Sequence, residues 1–167
     1  MSKLKILGAV AVLVMSGIAW TWGAQSGSGI APLTGTDYAE IMNLYARYNQ
    51  GSDFQDPELF LSAFSDTATI VRADGSSITG MAALRKERED RYRNGRTGYS
   101  GLRHRTGSQL ITPTPEGATG VAYYALLDVT TSPATIRFTG NYADDFVKTA
   151  NGWKIQTRTI NRDTPRD

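Results

Sequence analysis

The chain contains no cysteine, which excludes disulfides, thiolate metal sites, iron–sulfur clusters, a cysteine nucleophile and a bacterial lipoprotein anchor. Histidine is nearly as scarce: His104 stands alone, so one protomer cannot build a multi-histidine metal centre. Excess charge is also missing. There are 18 Lys and Arg against 16 Asp and Glu in 167 residues, and Lys3 and Lys5 account for the difference. A balanced body lacks the basic face that nucleic-acid binding requires. The length suits one domain, and no internal repeat suggests a second.

Lys3 and Lys5 precede an uninterrupted apolar run, Ile6 to about Trp20 (ILGAVAVLVMSGIAW). A short cationic region followed by an apolar one of this length is the pattern of a secretory signal. Residues 1–24 are expected to be a signal peptide and the mature protein to be periplasmic or secreted. The alternative is an uncleaved anchor through residues 6–22, the only circumstance in which the protein would engage a membrane. Residues 25–36, rich in Ser, Gly and Pro, are expected to be a flexible linker. The folded domain is then expected over 37–163, with 164–167 as a tail.

Within that domain, Ile41, Leu44, Tyr45 and Tyr48 recur at helical spacing. They predict a helix over Asp37–Gln50, capped by Thr36 or Asp37, with Glu40 completing a capping box and Gly51 ending it. Asp56-Pro57 is an N-cap followed by proline at the first helical position, and predicts a second, short helix carrying Leu59, Phe60, Ala63 and Phe64. Ala68–Arg72 alternates as a strand, Asp74-Gly75 turns, and Ile78 begins a short return. Gly80–Arg96 predicts a third helix whose dense mixed charge reads as a solvated face. From Gly101 the pattern changes to long β-branched and aromatic runs, Leu102–Thr112, Gly120–Thr130, Thr135–Thr149 and Gly152–Asn161. Asn151-Gly152 marks the clearest hairpin. The expected class is α+β: three helices packed on a strongly curved, mainly antiparallel sheet, forming a cone-shaped barrel whose cavity would receive a small ligand.

The order of these elements, together with RYNQGSDFQDPELFLSAF (Arg47–Phe64), DGSSITGMAALR (Asp74–Arg85), LRHRTGSQLI (Leu102–Ile111), GNYADDFVK (Gly140–Lys148) and NGWKIQTR (Asn151–Arg158), resembles the SnoaL-like branch of the nuclear transport factor 2-like superfamily. That superfamily includes scytalone dehydratase, ketosteroid isomerase, polyketide cyclases, limonene epoxide hydrolase and many non-catalytic members, so the resemblance implies fold more closely than reaction. It implies a cavity carboxylate at Asp53 and an acid–base partner at His104. It also implies cavity positions at Tyr45 and Tyr48 on the first helix, and at Tyr142 and Asp144 in the penultimate strand. A homodimer through the sheet is implied as well. The chain departs from the dehydratase pattern at Ser52, where a tyrosine precedes the carboxylate, at Ser108, where Asn is frequent, and in having no second cavity histidine.

An Asp53–His104 dyad suits proton transfer, because histidine titrates near neutrality and a carboxylate orients its ring. Tyr48, Tyr124 or Tyr142 can then donate to an oxygen on which charge develops. Such chemistry requires neither metal nor organic cofactor. The function expected is an exported acid–base enzyme, a dehydratase, isomerase or cyclase, acting on a small hydroxylated or carbonyl-bearing ring compound. The alternative is a non-catalytic ligand-binding or protein-interaction module of the cell envelope. Strand alternation places Leu102, His104, Thr106 and Ser108 on one face and Arg103, Arg105 and Gly107 on the other. Asp144 is open between lining the cavity and pairing with an arginine. Trp153 and Ile155 are expected in the core, and Arg158, on the other face, at the surface or a dimer interface, with a buried cavity arginine the alternative.

Overall fold

A computed structural model describes residues 29–93 and 101–163. The signal expected over 1–24, the start of the linker, the end of the third helix at 94–96 and the tail at 164–167 lie outside the described residues.

The first helix, α1 (Gly35–Asp53), starts earlier and ends later than its periodicity predicts. Its N-cap is Thr34, in place of Thr36 or Asp37. The Thr34 hydroxyl accepts from the Asp37 backbone N–H at 3.2 Å while Asp37 accepts from the Thr34 N–H at 2.8 Å, a reciprocal box that satisfies two donors of the first turn. Glu40, expected in that role, instead accepts from the Trp153 backbone N–H at 3.1 Å. Gly51 does not end the helix. A Cβ there would stand 2.4 Å from the backbone N of Phe60, so glycine is what lets the next helix seat directly on this turn. That helix, α2 (Pro57–Leu61), is capped as expected: Asp56 accepts from the Leu59 N–H at 2.9 Å.

Strand β1 (Phe64–Val71) and the short β2 (Ser77–Thr79) pair across the turn at Gly75, whose φ is 83°. Helix α3 (Met81–Arg93) follows, and then β3 (Leu102–Thr114), β4 (Gly117–Asp128), β5 (Thr135–Thr149) and β6 (Gly152–Arg162). The four long strands form the expected antiparallel meander, and the Asn151-Gly152 hairpin joins β5 to β6. Strand order is β2-β1-β6-β5-β4-β3, with β1 and β6 the only parallel pair among the described residues. The fold is thus α+β with a curved sheet, but the sheet does not close, and β3 is one of its edges.

α1 lies against β3 and β6, and its apolar stripe meets α2 and the sheet in one core: Ile41, Leu44, Tyr45 and Tyr48 pack with Phe60, Phe64, Ala122, Tyr142, Phe146 and Ile155. Trp153 and Ile155 are buried there as expected. The charged run of α3 is less solvated than its composition suggests. Arg88 is buried, with its guanidinium carbon 3.9 Å from the Phe60 ring centre, while exposed Lys86 pairs with Asp90 one turn on.

Two register shifts decide which side chains face inward. In β3 the shift between Gly107 and Leu110, with Ser108 at φ 53°, reverses the alternation, so Ile111 is buried and Leu110 is 69% exposed. Ser108 is therefore exposed on the bulge and does not share the His104 face as strict alternation expects. In β6 a second shift, where Phe146 pairs with Ile155 but Asp145 with Thr157, returns Arg158 to the inner side, wholly buried. The expectation of a surface or interface arginine is overturned by that one extra residue.

Candidate active site

The continuation of α1 past Gln50 carries Asp53 to the edge strand. Ala46, Asn49, Gln50 and Asp53 then form one helical stripe facing β3. Across the gap, the Asp53 carboxylate takes both donors of one residue. Its Oδ2 accepts from the His104 backbone N–H at 2.9 Å, and its Oδ1 meets the His104 Nδ1 at 2.5 Å. Both side chains are nearly enclosed, 8% exposed for His104 and 5% for Asp53. Because an ionised carboxylate only accepts, the arrangement assigns the ring proton to Nδ1, and Nε2 is the nitrogen whose lone pair can take up a proton. The backbone bond fixes the carboxylate against the strand, so the imidazole is oriented by a group that cannot itself swing away. One residue along the face, Asn49 Nδ2 donates to the Thr106 hydroxyl at 2.9 Å, tying helix and strand again.

A cleft of about 550 Å³ opens onto this pair, lined by Ala46, Asn49, Gln50, Asp53, Phe54, Arg103, His104, Arg105 and Thr106. Arg103 and Arg105 border it although alternation puts them on the opposite row from His104. At an edge strand there is no neighbour beyond, and side chains of both rows flank a gap beside it. Arg103 reaches round to α1, its guanidinium carbon 4.9 Å from the centre of the Phe54 ring. A second depression of about 510 Å³ adjoins the first at Arg105 and Thr106 and includes Tyr124 and Tyr123. Asn49, Thr106, Phe54 and the two arginines are the site residues the sequence reading did not single out. The signal for Asn49 was present, four residues before Asp53, and is visible only if the helix is not ended at Gly51.

The remaining candidates gather elsewhere. Tyr45, Tyr48, Tyr142 and Asp144 are in the core and do not line the cleft. Asp144 faces Arg158 directly across β5 and β6 and receives two bonds from it, Nε to Oδ1 at 2.8 Å and Nη2 to Oδ2 at 2.7 Å. Of the two readings open for Asp144, the arginine pair is the one formed. The guanidinium carbon lies 4.2 Å from the Tyr48 ring centre, 4.3 Å from Tyr142 and 5.1 Å from Tyr45. Arg158 Nη1 is buried without a hydrogen-bond partner, and the negative faces of these rings supply the compensation a bond would otherwise give. Burial opposes the arginine charge, but Asp144 outweighs it and holds the guanidinium above its ordinary range. Burial likewise raises the phenols of Tyr45 and Tyr142, with Asp144 adding to the effect, so both rings stay protonated. Tyr48 connects the two centres: its ring makes an edge contact with His104, centroids 6.1 Å apart, and stands at 5.5 Å from Tyr142. Tyr124 stacks on Tyr142 at 4.5 Å.

Among the described residues no group of three or more His, Cys, Asp or Glu is placed to hold a metal ion. Residues 34–159 match the SnoaL-like domain family. No curated protein matches the chain. Solved structures do: a protein of unknown function from Mycobacterium tuberculosis is 26% identical, with TM-score 0.66, over 78% of this chain and 73% of that one. A Nostoc punctiforme protein of unknown function with a cystatin-like fold is 25% identical, with TM-score 0.70, over 80% and 96%. A candidate scytalone dehydratase from Novosphingobium aromaticivorans is 21% identical, with TM-score 0.64, over 77% and 85%, a likeness of fold alone.

Proposed function

The chain belongs to the SnoaL-like family, and from that premise we propose that it is an acid–base enzyme, independent of metal and organic cofactor, that acts on a small hydroxylated or carbonyl-bearing ring compound. The observation that carries this reading is the Asp53–His104 pair, closed at 2.5 Å and bordering a cleft of about 550 Å³. In the forward direction Nε2 of His104 removes a proton from the carbon beside a carbonyl, leaving an enolate. The imidazolium, stabilised by Asp53, then returns that proton to a departing hydroxyl, which leaves as water, to another carbon in an isomerisation, or, in a ring closure, to the oxygen of the carbonyl whose carbon the enolate carbon has bonded. Proton transfer of this kind contributes about 10²–10⁴-fold in rate.

The candidate scytalone dehydratase shares the fold, and dehydration, like isomerisation, uses both halves of the proton cycle on one substrate. His104→Ala and Asp53→Asn are expected to lose turnover by about that factor while keeping the fold, as read by circular dichroism. Full activity in both variants would refute the mechanism.

Two further parts of the reading concern where the protein acts and in what form. Lys3, Lys5 and the apolar run after them support export to the periplasm or beyond, tested by the N-terminal sequence of the protein recovered from that compartment. Leu110, Val121 and Tyr123, exposed at 69%, 44% and 64%, support a homodimer through the outer face of β3 and β4, in which a second copy covers them. A purely monomeric elution in size-exclusion chromatography would contradict the dimer.

A further inference from the structure

The cleft beside the dyad carries a charge pattern that the mechanism does not use. Most cations among the described residues lie within salt-bridge distance of a carboxylate, from exposed Lys86 with Asp90 to buried Arg158 with Asp144. Arg103 and Arg105 do not, among the described residues, although both border the cleft. Arg103 donates through Nη1 to the Leu102 carbonyl at 2.7 Å and lies against the Phe54 ring, contacts that place the guanidinium without neutralising it. Arg105 is exposed. Among the described residues the one carboxylate lining the cleft, Asp53, is already satisfied by two donors of His104, and Asp163 lines the adjoining depression, with no salt bridge to Arg105. The cleft therefore presents two uncompensated guanidinium groups on one strand, either side of the catalytic imidazole, with a 64% exposed aromatic ring at its mouth.

Resting on the acid–base reading of this same site, we propose that the ligand of this cleft is anionic: a ring compound bearing a carboxylate, which Arg105 and Arg103 bind while the ring lies along Phe54. Guanidinium groups match the planar carboxylate, and charge-assisted bonds of this kind are the stronger class. Bound so, the acid group sits on the arginine side and the ring carbons are presented to His104.

The test uses the purified protein and paired probes, benzoate and 2-naphthoate against their methyl esters, titrated by calorimetry. The acids are expected to bind at least about tenfold more tightly than the esters, the fold-change of one charge-assisted bond. The preference is expected to shrink as salt rises and to fall about tenfold in Arg105→Gln and Arg103→Gln, with Arg105→Lys retaining part of it. Esters binding as tightly as acids, a preference unchanged in both glutamine variants, or no binding of either acid would overturn the proposal. The two readings fail separately. Turnover of a neutral compound that depends on His104, without any acid preference, sinks the anionic ligand and leaves the dyad. Arginine-dependent acid binding in a protein whose turnover survives His104→Ala does the reverse.

Discussion

Asp53 and Asp144 each hold a nitrogen base, one at the free edge of the sheet and the other in its middle. Asp144 sits between strands, with its partner at zero exposure inside a cage of three tyrosines. Asp53 comes from the last turn of a helix, closes on an edge strand and borders an open cleft. The central pair joins a carboxylate to a guanidinium, which does not lose its proton in proteins, so it can fix the position of β5 against β6 but cannot cycle protons. The edge pair joins a carboxylate to the one side chain suited to gaining and losing a proton near neutrality. Burial alone thus does not separate the two carboxylates; a partner able to exchange a proton and access to a cleft distinguish the one proposed for function.

The contrast is sharpest in stability. Asp144→Ala leaves a buried guanidinium without its counter-charge and is expected to cost about 3–5 kcal/mol in denaturant unfolding, whereas replacing both partners by apolar residues of similar size is expected to cost far less. Gly51→Ala comes next. Its methyl would drive into the Phe60 backbone at 2.4–2.6 Å, an overpacking expected to cost about 1–3 kcal/mol. It should also disturb the helical turn that delivers Asp53, so a matching loss of turnover is expected. Asp53→Asn keeps one acceptor oxygen for the two His104 donors and turns an amide N–H towards the other, and is expected to cost about 1–3 kcal/mol; a cost equal to that of Asp144→Ala would erase the distinction between the two pairs.

The smallest effect belongs to a third carboxylate. Asp37 accepts from Lys148 Nζ at 2.6 Å, from Thr34 and from Trp153 Nε1 at 2.8 Å. The Lys148 bond foremost, then those from Thr34 and Trp153, holds its carboxyl well below the usual range. A depressed folded pKa contributes stability that is fully present above the unfolded value and is lost as pH falls below it. Asp37→Asn should therefore lower Tm at neutral pH, and the difference from the native protein should close as acid falls below about pH 3.8; a constant difference at all pH values would show that the charge is not what matters there.

Much of this architecture is legible in the sequence because its signals are local. The Asp56-Pro57 cap, the Asp74-Gly75 and Asn151-Gly152 turns and the four long strands depend on residues a few positions apart; the cap and turns form where the pattern puts them, and the strands form with β3 running on to Thr114 and β4 shifted to Gly117–Asp128. The misread features depend on contacts the sequence does not bring together. Gly51 looks like a terminator until Phe60 is packed on it. Arg158 looks exposed until one extra residue in β6 turns it inward, and Ser108 looks inward until the bulge in β3 turns it out. Arg103 and Arg105 look remote from His104 until β3 proves to be an edge. Asp53 and His104 stand out in the sequence only through a likeness of motifs, and their meeting, 51 residues apart in sequence, is a property of the folded chain.

The central claim is that Asp53 holds the proton of His104 on Nδ1 and so makes Nε2 the base. With a single histidine in the chain, a long-range ¹H–¹⁵N correlation spectrum of the ¹⁵N-labelled protein reads that imidazole with no assignment step. The neutral ring should show a protonated Nδ1 and an unprotonated Nε2, and Asp53→Asn should shift the tautomer balance. A neutral ring protonated at Nε2, or one whose tautomer ignores the substitution at Asp53, would contradict the account.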